Sequence, residues 1–183
     1  MARCDMFTRS ARRTAVAITL ALGSTTAFAQ GPNLGQPIDE ADIAAWNIDI
    51  LPDGTGLPPG SGTAADGELI YALKCAACHG VNAEGGISLA LVGGEPLTNG
   101  IDTAKTIANF WPVATTLFDY TRRAMPWLRP RTLTDDEVYA LSAYLLALNG
   151  IIDEDDVMNA KTLPQVQMPN RDGFIIRFPD RTP

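Results

Sequence analysis

Apolar residues recur at helical spacing in two stretches of this chain, one on either side of a glycine-rich loop. In the first, Gly67, Leu69, Ile70, Tyr71 and Leu73 give a segment an apolar side, and Thr63 with Asp66 forms a variant capping box at its start. That segment runs straight into Cys75. In the second, Val138, Leu141, Ala143, Tyr144, Leu145 and Leu148 keep the period of a helix. Thr134 and Glu137 make a T-x-x-E box before it, and Asn149-Gly150 is a stop signal after it. Residues 116–123 predict a shorter helix between the two, residues 80–100 the glycine-rich loop, and residues 39–46 a brief helix.

The same pattern divides the chain into four. Residues 1–29 read as a secretory signal peptide: Arg9, Arg12 and Arg13 are its positive region, Ala15 to Leu22 its apolar stretch, and Ala27-Phe28-Ala29 its cleavage site. The alternative is an uncleaved membrane anchor, but the apolar stretch falls well short of the roughly 20 residues needed to span a bilayer. Arg12-Arg13 lacks the rest of a twin-arginine signature. Residues 30–62 are an arm rich in Gly and Pro, residues 63–150 hold the helical periodicity, and residues 151–183 are a second arm that opens on Asp153-Glu154-Asp155-Asp156. No other apolar run approaches membrane-spanning length, so the expectation after signal removal is a periplasmic protein with no membrane insertion.

Charge narrows the partners. Of 14 basic and 21 acidic residues the leader holds four Arg and one Asp, which leaves 10 and 20, a formal net of −10. Nucleic acid and anionic lipid are poor partners for such a chain. A partner with a basic docking face, associating in a salt-sensitive way, fits it, as does a generally acidic solubilising surface.

The chemistry is concentrated at Cys75-Ala76-Ala77-Cys78-His79, the C-x-x-C-H pattern for covalent attachment of a c-type haem. Two thiols at this spacing can each form a thioether with a porphyrin vinyl group, and the histidine that follows is held under the iron. A structural zinc site needs four ligands and the motif offers three. A thioredoxin-type pair needs a preceding βαβ pattern, which is absent. Cys4 lies in the leader, so Cys75 and Cys78 are the only cysteines of the processed chain. His79 is the only histidine, which excludes bis-histidine ligation within the chain and any histidine dyad. There is no second motif, so one haem c is the ceiling.

The arrangement resembles class I cytochrome c, and the 88 residues from 63 to 150 match the size of such a domain. The resemblance implies an all-α fold in which N- and C-terminal helices cross around a covalent haem, here with extended N- and C-terminal arms. Gly67 and Tyr71 on one helix, and Leu141 and Tyr144 on the other, fit the small and aromatic residues of that crossing; generic helix packing would use them too. Met125 stands 46 residues after His79, followed by Pro126, on the loop after a helix, where the family places its sixth ligand. A thioether is soft and neutral and raises the reduction potential. Met158 and Met168 compete for the role, and packing is the plainer use of any methionine.

Weaker features surround these. Trp111 can donate its indole N–H to a haem propionate or sit in the core. Arg122 or Arg123 can pair with a propionate or remain solvated. Pro126, Trp127 and Leu128 can rim the haem edge for docking or line the crevice. The family's usual proline downstream of the motif, whose carbonyl accepts the proximal histidine N–H, is missing. The region reads Ile87-Ser88-Leu89-Ala90-Leu91, and the first proline is Pro96.

A closer similarity is to the SoxD family, the cytochrome c subunit of sulfane or sulfite dehydrogenase. It is carried by Trp46-Asn47-Ile48-Asp49, Pro52-Asp53-Gly54-Thr55-Gly56-Leu57-Pro58, Phe110-Trp111-Pro112, Arg123-Ala124-Met125-Pro126 and the tail from Met168 to Phe174. The resemblance implies an electron-transfer protein, not itself an enzyme. It would take single electrons from a molybdenum-containing subunit of sulfite oxidase type and pass them to a downstream cytochrome or oxidase. Some members of the family carry two haem domains; this chain has one. The other readings are a general periplasmic shuttle for another dehydrogenase and a haem enzyme or sensor with an open distal site. The arms would wrap either a partner subunit or the cytochrome's own surface.

Overall fold

A computed structural model describes residues 34–44, 46–97 and 102–175. The signal-peptide reading of residues 1–29 lies outside the described residues. Residues 34–43 belong to a unit of their own, in which Asp39 and Asp42 exchange backbone-to-carboxylate hydrogen bonds of 2.9 and 3.1 Å at the start of helix α1 (Glu40–Ala44). The brief helix expected around residues 39–46 is therefore present, and none of its side chains is buried.

The second unit, from residue 44 onward, holds the helices that matter for function. These are α2 (Ala64–Lys74), α3 (Ala76–His79), α4 (Ala114–Ala124) and α5 (Asp135–Leu148). Two-residue strands β1 (Ser61–Gly62) and β2 (Met158–Asn159) pair antiparallel, Ser61 opposite Asn159. Among the described residues no helix is long and apolar enough to cross a membrane.

Helix α2 begins where its first residues dictate. The Thr63 side chain accepts the Asp66 N–H, and its hydroxyl donates back to the Asp66 carboxylate at 2.6 Å, so the return leg of the box runs through the hydroxyl. Helix α5 starts with a full capping box between Thr134 and Glu137. It ends in a Schellman motif: Gly150 N–H donates to Ala147 O at 2.8 Å, Ile151 N–H donates to Leu146 O at 3.0 Å, and Gly150 sits at φ 66°.

Helices α2 and α5 cross at Gly67. A Cβ there would strike the Ala140 carbonyl and lie 2.6 Å from Tyr144 Cβ, so the missing side chain lets the two backbones meet. The Tyr71 and Tyr144 rings meet nearby at a tilt of 46°, with centroids 5.3 Å apart. The crossing expected from Gly67, Tyr71 and Tyr144 is observed, with Ala140 in the place given to Leu141, which turns to the interior instead. The apolar side of α2 is narrower than the sequence implied. Leu69 and Leu73 are exposed, since each lies about 200° round the helix from the buried residue two before it, Gly67 or Tyr71. Helix α5 is buried nearly all round, adding Tyr139, Ser142 and Leu146 to the core. The Phe118 ring of α4 packs 4.4 Å from that of Tyr139.

The C-terminal arm packs on this core as far as residue 168. Met158, Leu163, Val166 and Met168 are buried in the same cluster as Phe118 and Leu146. Over these residues the arm covers the cytochrome's own surface.

Lys74, the last residue of α2, pairs with Glu137 of the α5 cap. The Lys74 ammonium, then the Thr134 N–H, hold the Glu137 carboxyl below its ordinary value. A carboxylate with a depressed folded pKa stabilises above its unfolded pKa of about 4.3 and loses that contribution as pH falls through the lower folded value. Glu137→Gln is therefore expected to flatten the fall in melting temperature from about pH 5 to pH 3. At neutral pH the cost should stay within about 1 kcal/mol, because the pair is partly solvated. Melting curves taken across that range check it, and parallel curves for the two proteins would count against the assignment.

Candidate haem-binding site

The motif is delivered to its cavity by a helix that ends where it must. Helix α2 closes on Cys75, whose N–H donates to Tyr71 O at 2.8 Å, and α3 carries the rest of the motif to His79. Gly80 follows at φ 86°, a left-handed conformation that turns the chain back, and its carbonyl accepts the Tyr71 hydroxyl at 2.9 Å. Burial raises the Tyr71 pKa, so that hydroxyl stays a donor.

The glycine-rich loop then folds onto α3. Gly85 N–H donates to His79 O at 2.7 Å, and Ser88 N–H donates to Cys78 O at 2.9 Å. These bonds bring the Leu89 carbonyl to 2.9 Å from His79 Nδ1. A carbonyl only accepts, so Nδ1 carries a proton, and in the neutral imidazole Nε2 keeps the lone pair. The acceptor for which the sequence offered no proline is thus a leucine carbonyl in the stretch from Ile87 to Leu91.

Helix α4 also ends at the cavity, and it stops because Pro126 disfavours helical dihedrals at the residue before it. Met125 accordingly has φ −112° and ψ 149°, while its N–H still donates to Thr121 O at 3.1 Å. Cys75, Cys78, His79 and Met125 all line one cavity of about 690 Å³, within the usual range of cofactor sites. Met158 and Met168 do not line it; they are core residues. The walls are largely apolar, with Ile107, Leu117, Leu141 and Leu145 behind and Trp111 and Tyr120 at one side, their rings 5.7 Å apart. Both cysteines are free thiols, and burial pushes that of Cys75 up to about 11, so it is neutral at pH 7.

These features suit a flat, apolar, iron-bearing macrocycle. The lining offers two thiols, an imidazole nitrogen and a thioether among largely hydrocarbon side chains.

Neither Arg122 nor Arg123 lines the cavity. Arg122 Nε is 2.9 Å from Asp135, while Arg123 joins Asp119 at 2.7 Å, Asp49 at 2.8 Å and the Ile48 carbonyl at 3.1 Å. Both tie the chain together through these partners. Lys105 and Lys74 are the cations of the lining.

Two organising residues were not foreseen. Buried Asn109 accepts the Thr106 N–H and donates to the Glu95 and Ala104 carbonyls at 2.8 and 2.9 Å, bracing the loop before α4. Asn149 accepts the Gly93 N–H at 3.0 Å and donates to Leu145 O at 2.7 Å, tying the same loop to the end of α5. Asn149 was legible as a helix stop, but its reach to a loop far away in sequence had no local signal.

Comparison with known proteins agrees with this geometry. The cytochrome c family model matches residues 64–149. No curated protein matches the chain. Among solved structures, the sulfane dehydrogenase SoxCD from Paracoccus pantotrophus superposes with a TM-score of 0.73 at 39% identity, over 82% of this chain and 75% of that one. The chain belongs to the class I c-type cytochromes, a family defined by covalently bound haem c and electron transfer. Within that class it stands close to the SoxD family.

Proposed function

We propose that this chain is an exported monohaem cytochrome of the periplasm. It takes single electrons from a sulfur-oxidising molybdenum dehydrogenase, of sulfane or sulfite dehydrogenase type, and hands them to a downstream cytochrome or oxidase. The observation that carries the reading is a single cavity lined by Cys75, Cys78, His79 and Met125 together, with His79 Nδ1 committed to Leu89 O. Cys75 and Cys78 would hold the haem through thioethers, and His79 Nε2 and the Met125 sulfur would bind its iron. A haem so held supplies one-electron oxidation and reduction of its iron, at a potential raised by the neutral thioether.

The residues around it do the rest. The Leu89 carbonyl orients the imidazole and strengthens it as a ligand. Leu117, Leu141 and Leu145 keep water from the interior of the cavity. Likeness to a sulfane dehydrogenase complex over most of both chains supports a dehydrogenase as electron donor. The sequence signal at residues 1–29 and the lone cysteine pair of the processed chain support export.

The test is expression with periplasmic haem maturation. The expected product keeps its colour through acid-acetone extraction, binds carbon monoxide sluggishly, and is reduced by a sulfur-oxidising molybdenum dehydrogenase. Extractable colour would remove the haem assignment, and failure of every such dehydrogenase to reduce the coloured protein would remove the sulfur assignment alone.

A further inference from the structure

Cys75, Cys78 and His79 reach the cavity within one motif, but Met125 arrives at the end of α4. A helix end carries carbonyls without intrahelical partners and is the part of a helix that frays most easily. One backbone bond, from Met125 N–H to Thr121 O at 3.1 Å, extends the helical pattern to this residue. A methionine side chain turns about three bonds, so the placement of its backbone decides how often the sulfur is available as a ligand.

Arg123, two residues earlier, fixes that end from outside. Its Nε donates to Asp119 Oδ1 one turn back at 2.7 Å. Its Nη2 donates to Asp49 Oδ1 at 2.8 Å and to the Ile48 carbonyl at 3.1 Å. A planar guanidinium with one nitrogen on its own helix and another on the N-terminal arm sets the two at a fixed angle, which a lysine ammonium cannot do. Arg122 ties the same turn to Asp135 at the start of α5, about 100° round the helix. Ties in two directions leave the last turn of α4 little room to move.

The anchor on the arm is itself fixed, and not by α4. Leu51 N–H donates to Thr55 O and Gly54 N–H to Leu51 O, both at 2.9 Å, and Leu57 N–H donates to Gly54 O at 3.0 Å. Gly56, at φ 90°, lets the chain close on the Asp49 carbonyl, which a Cβ would strike. A Cβ at Gly54 would likewise strike the Pro164 ring, and Pro58 O accepts the Tyr139 hydroxyl at 2.8 Å. Ile50 and Leu57 pack on the core. This turn is therefore held by α5 and the C-terminal arm, and it passes their rigidity to Arg123. Asp49 is largely exposed, so its ion pair contributes little to stability. Its consequence is for position.

We propose that Arg123, braced by Asp49 and the Ile48 carbonyl, is the positioning residue for Met125, so that the N-terminal arm keeps the distal ligand in place. This rests on reading Met125 as an iron ligand. The arm then has a use within the chain's own electron-transfer site, separate from any grip on a partner.

The experiment uses the haem-loaded full chain, Arg123→Ala, Asp49→Asn and the double variant. Carbon monoxide enters only while the sulfur is away, so its rate of binding to the reduced protein reports the fraction of time that Met125 is displaced. That rate is expected to rise roughly tenfold for Arg123→Ala and about threefold for Asp49→Asn, with the double variant matching Arg123→Ala because both changes break one path. The charge-transfer absorption of the methionine–iron bond in the oxidised protein should weaken in the same order. Melting of Asp49→Asn should stay within about 3 °C of the parent, which separates displacement of the ligand from general loosening.

Parent-like carbon monoxide binding in both single variants would overturn the proposal. So would a silent Asp49→Asn beside an altered Arg123→Ala, or effects that simply add in the double variant. Rapid carbon monoxide binding by the parent itself, without the charge-transfer absorption, would instead remove Met125 as a ligand and the proposal with it.

Discussion

Met125→Ala is expected to keep its covalent colour and lose its closed coordination. The thioethers from Cys75 and Cys78 and the imidazole of His79 are untouched by the change, so the pigment stays with the polypeptide on a denaturing gel. What disappears is the sulfur that Met125 brings to the cavity. Carbon monoxide should then bind rapidly, and the spectrum should shift from low spin toward high spin. The midpoint potential should fall by on the order of a quarter of the roughly 0.8 V that axial ligands control. Met158→Ala and Met168→Ala are the informative contrast. Both side chains are buried in the core, at 4% and 3% exposure, and do not line the cavity. Each should cost about 2–5 kcal/mol of stability and leave the spectrum as it was. Spectroscopy and denaturation on the three variants separate ligand from packing residue. A normal spectrum for Met125→Ala would sink the assignment.

The contrast among the three methionines shows which information is local. The sequence around Met125 carries its own explanation: a helix, a stop imposed by proline, and a soft ligand at the stop. The capping box at Thr134 and the Schellman stop at Gly150 are legible in the same way, since each is satisfied by groups within a few residues. Burial of Met158, Leu163, Val166 and Met168 has no such signature. Their segment has no helical period, its strand is two residues long, and its burial exists only because α4 and α5 are already packed beneath it. The arginines illustrate the same limit from the polar side. Asp119 sits one helical turn before Arg123 and could be read off the chain, whereas Asp49 and Asp135 reach Arg123 and Arg122 only through the tertiary fold. The acceptor for His79 was illegible for a third reason. A backbone carbonyl leaves no mark in the sequence, and the usual proline that flags it is absent.

Gly67→Ala should destabilise the protein by about 1–3 kcal/mol, although alanine is the better helix former by about 1 kcal/mol. Those two magnitudes oppose each other, and the surroundings decide which wins. The added Cβ would run into the Ala140 carbonyl, a backbone atom on a helix buried nearly all round, which has no rotamer to change. Tyr144 Cβ, 2.6 Å away, is equally fixed by its own backbone. Relief must come from moving α2 bodily off α5, and that opens the Tyr71–Tyr144 ring contact one turn further on. Because α2 ends at Cys75, the same displacement reaches the wall of the cavity that carries the thiols. The variant should therefore unfold at lower denaturant and also yield a smaller fraction of covalently coloured protein. Leu73→Ala lies on the same helix with its side chain in solvent and should change stability by no more than about 0.5 kcal/mol. Denaturant midpoints for the pair test the claim. If Gly67→Ala proved as stable as the parent, the helices would not be meeting backbone to backbone at this position.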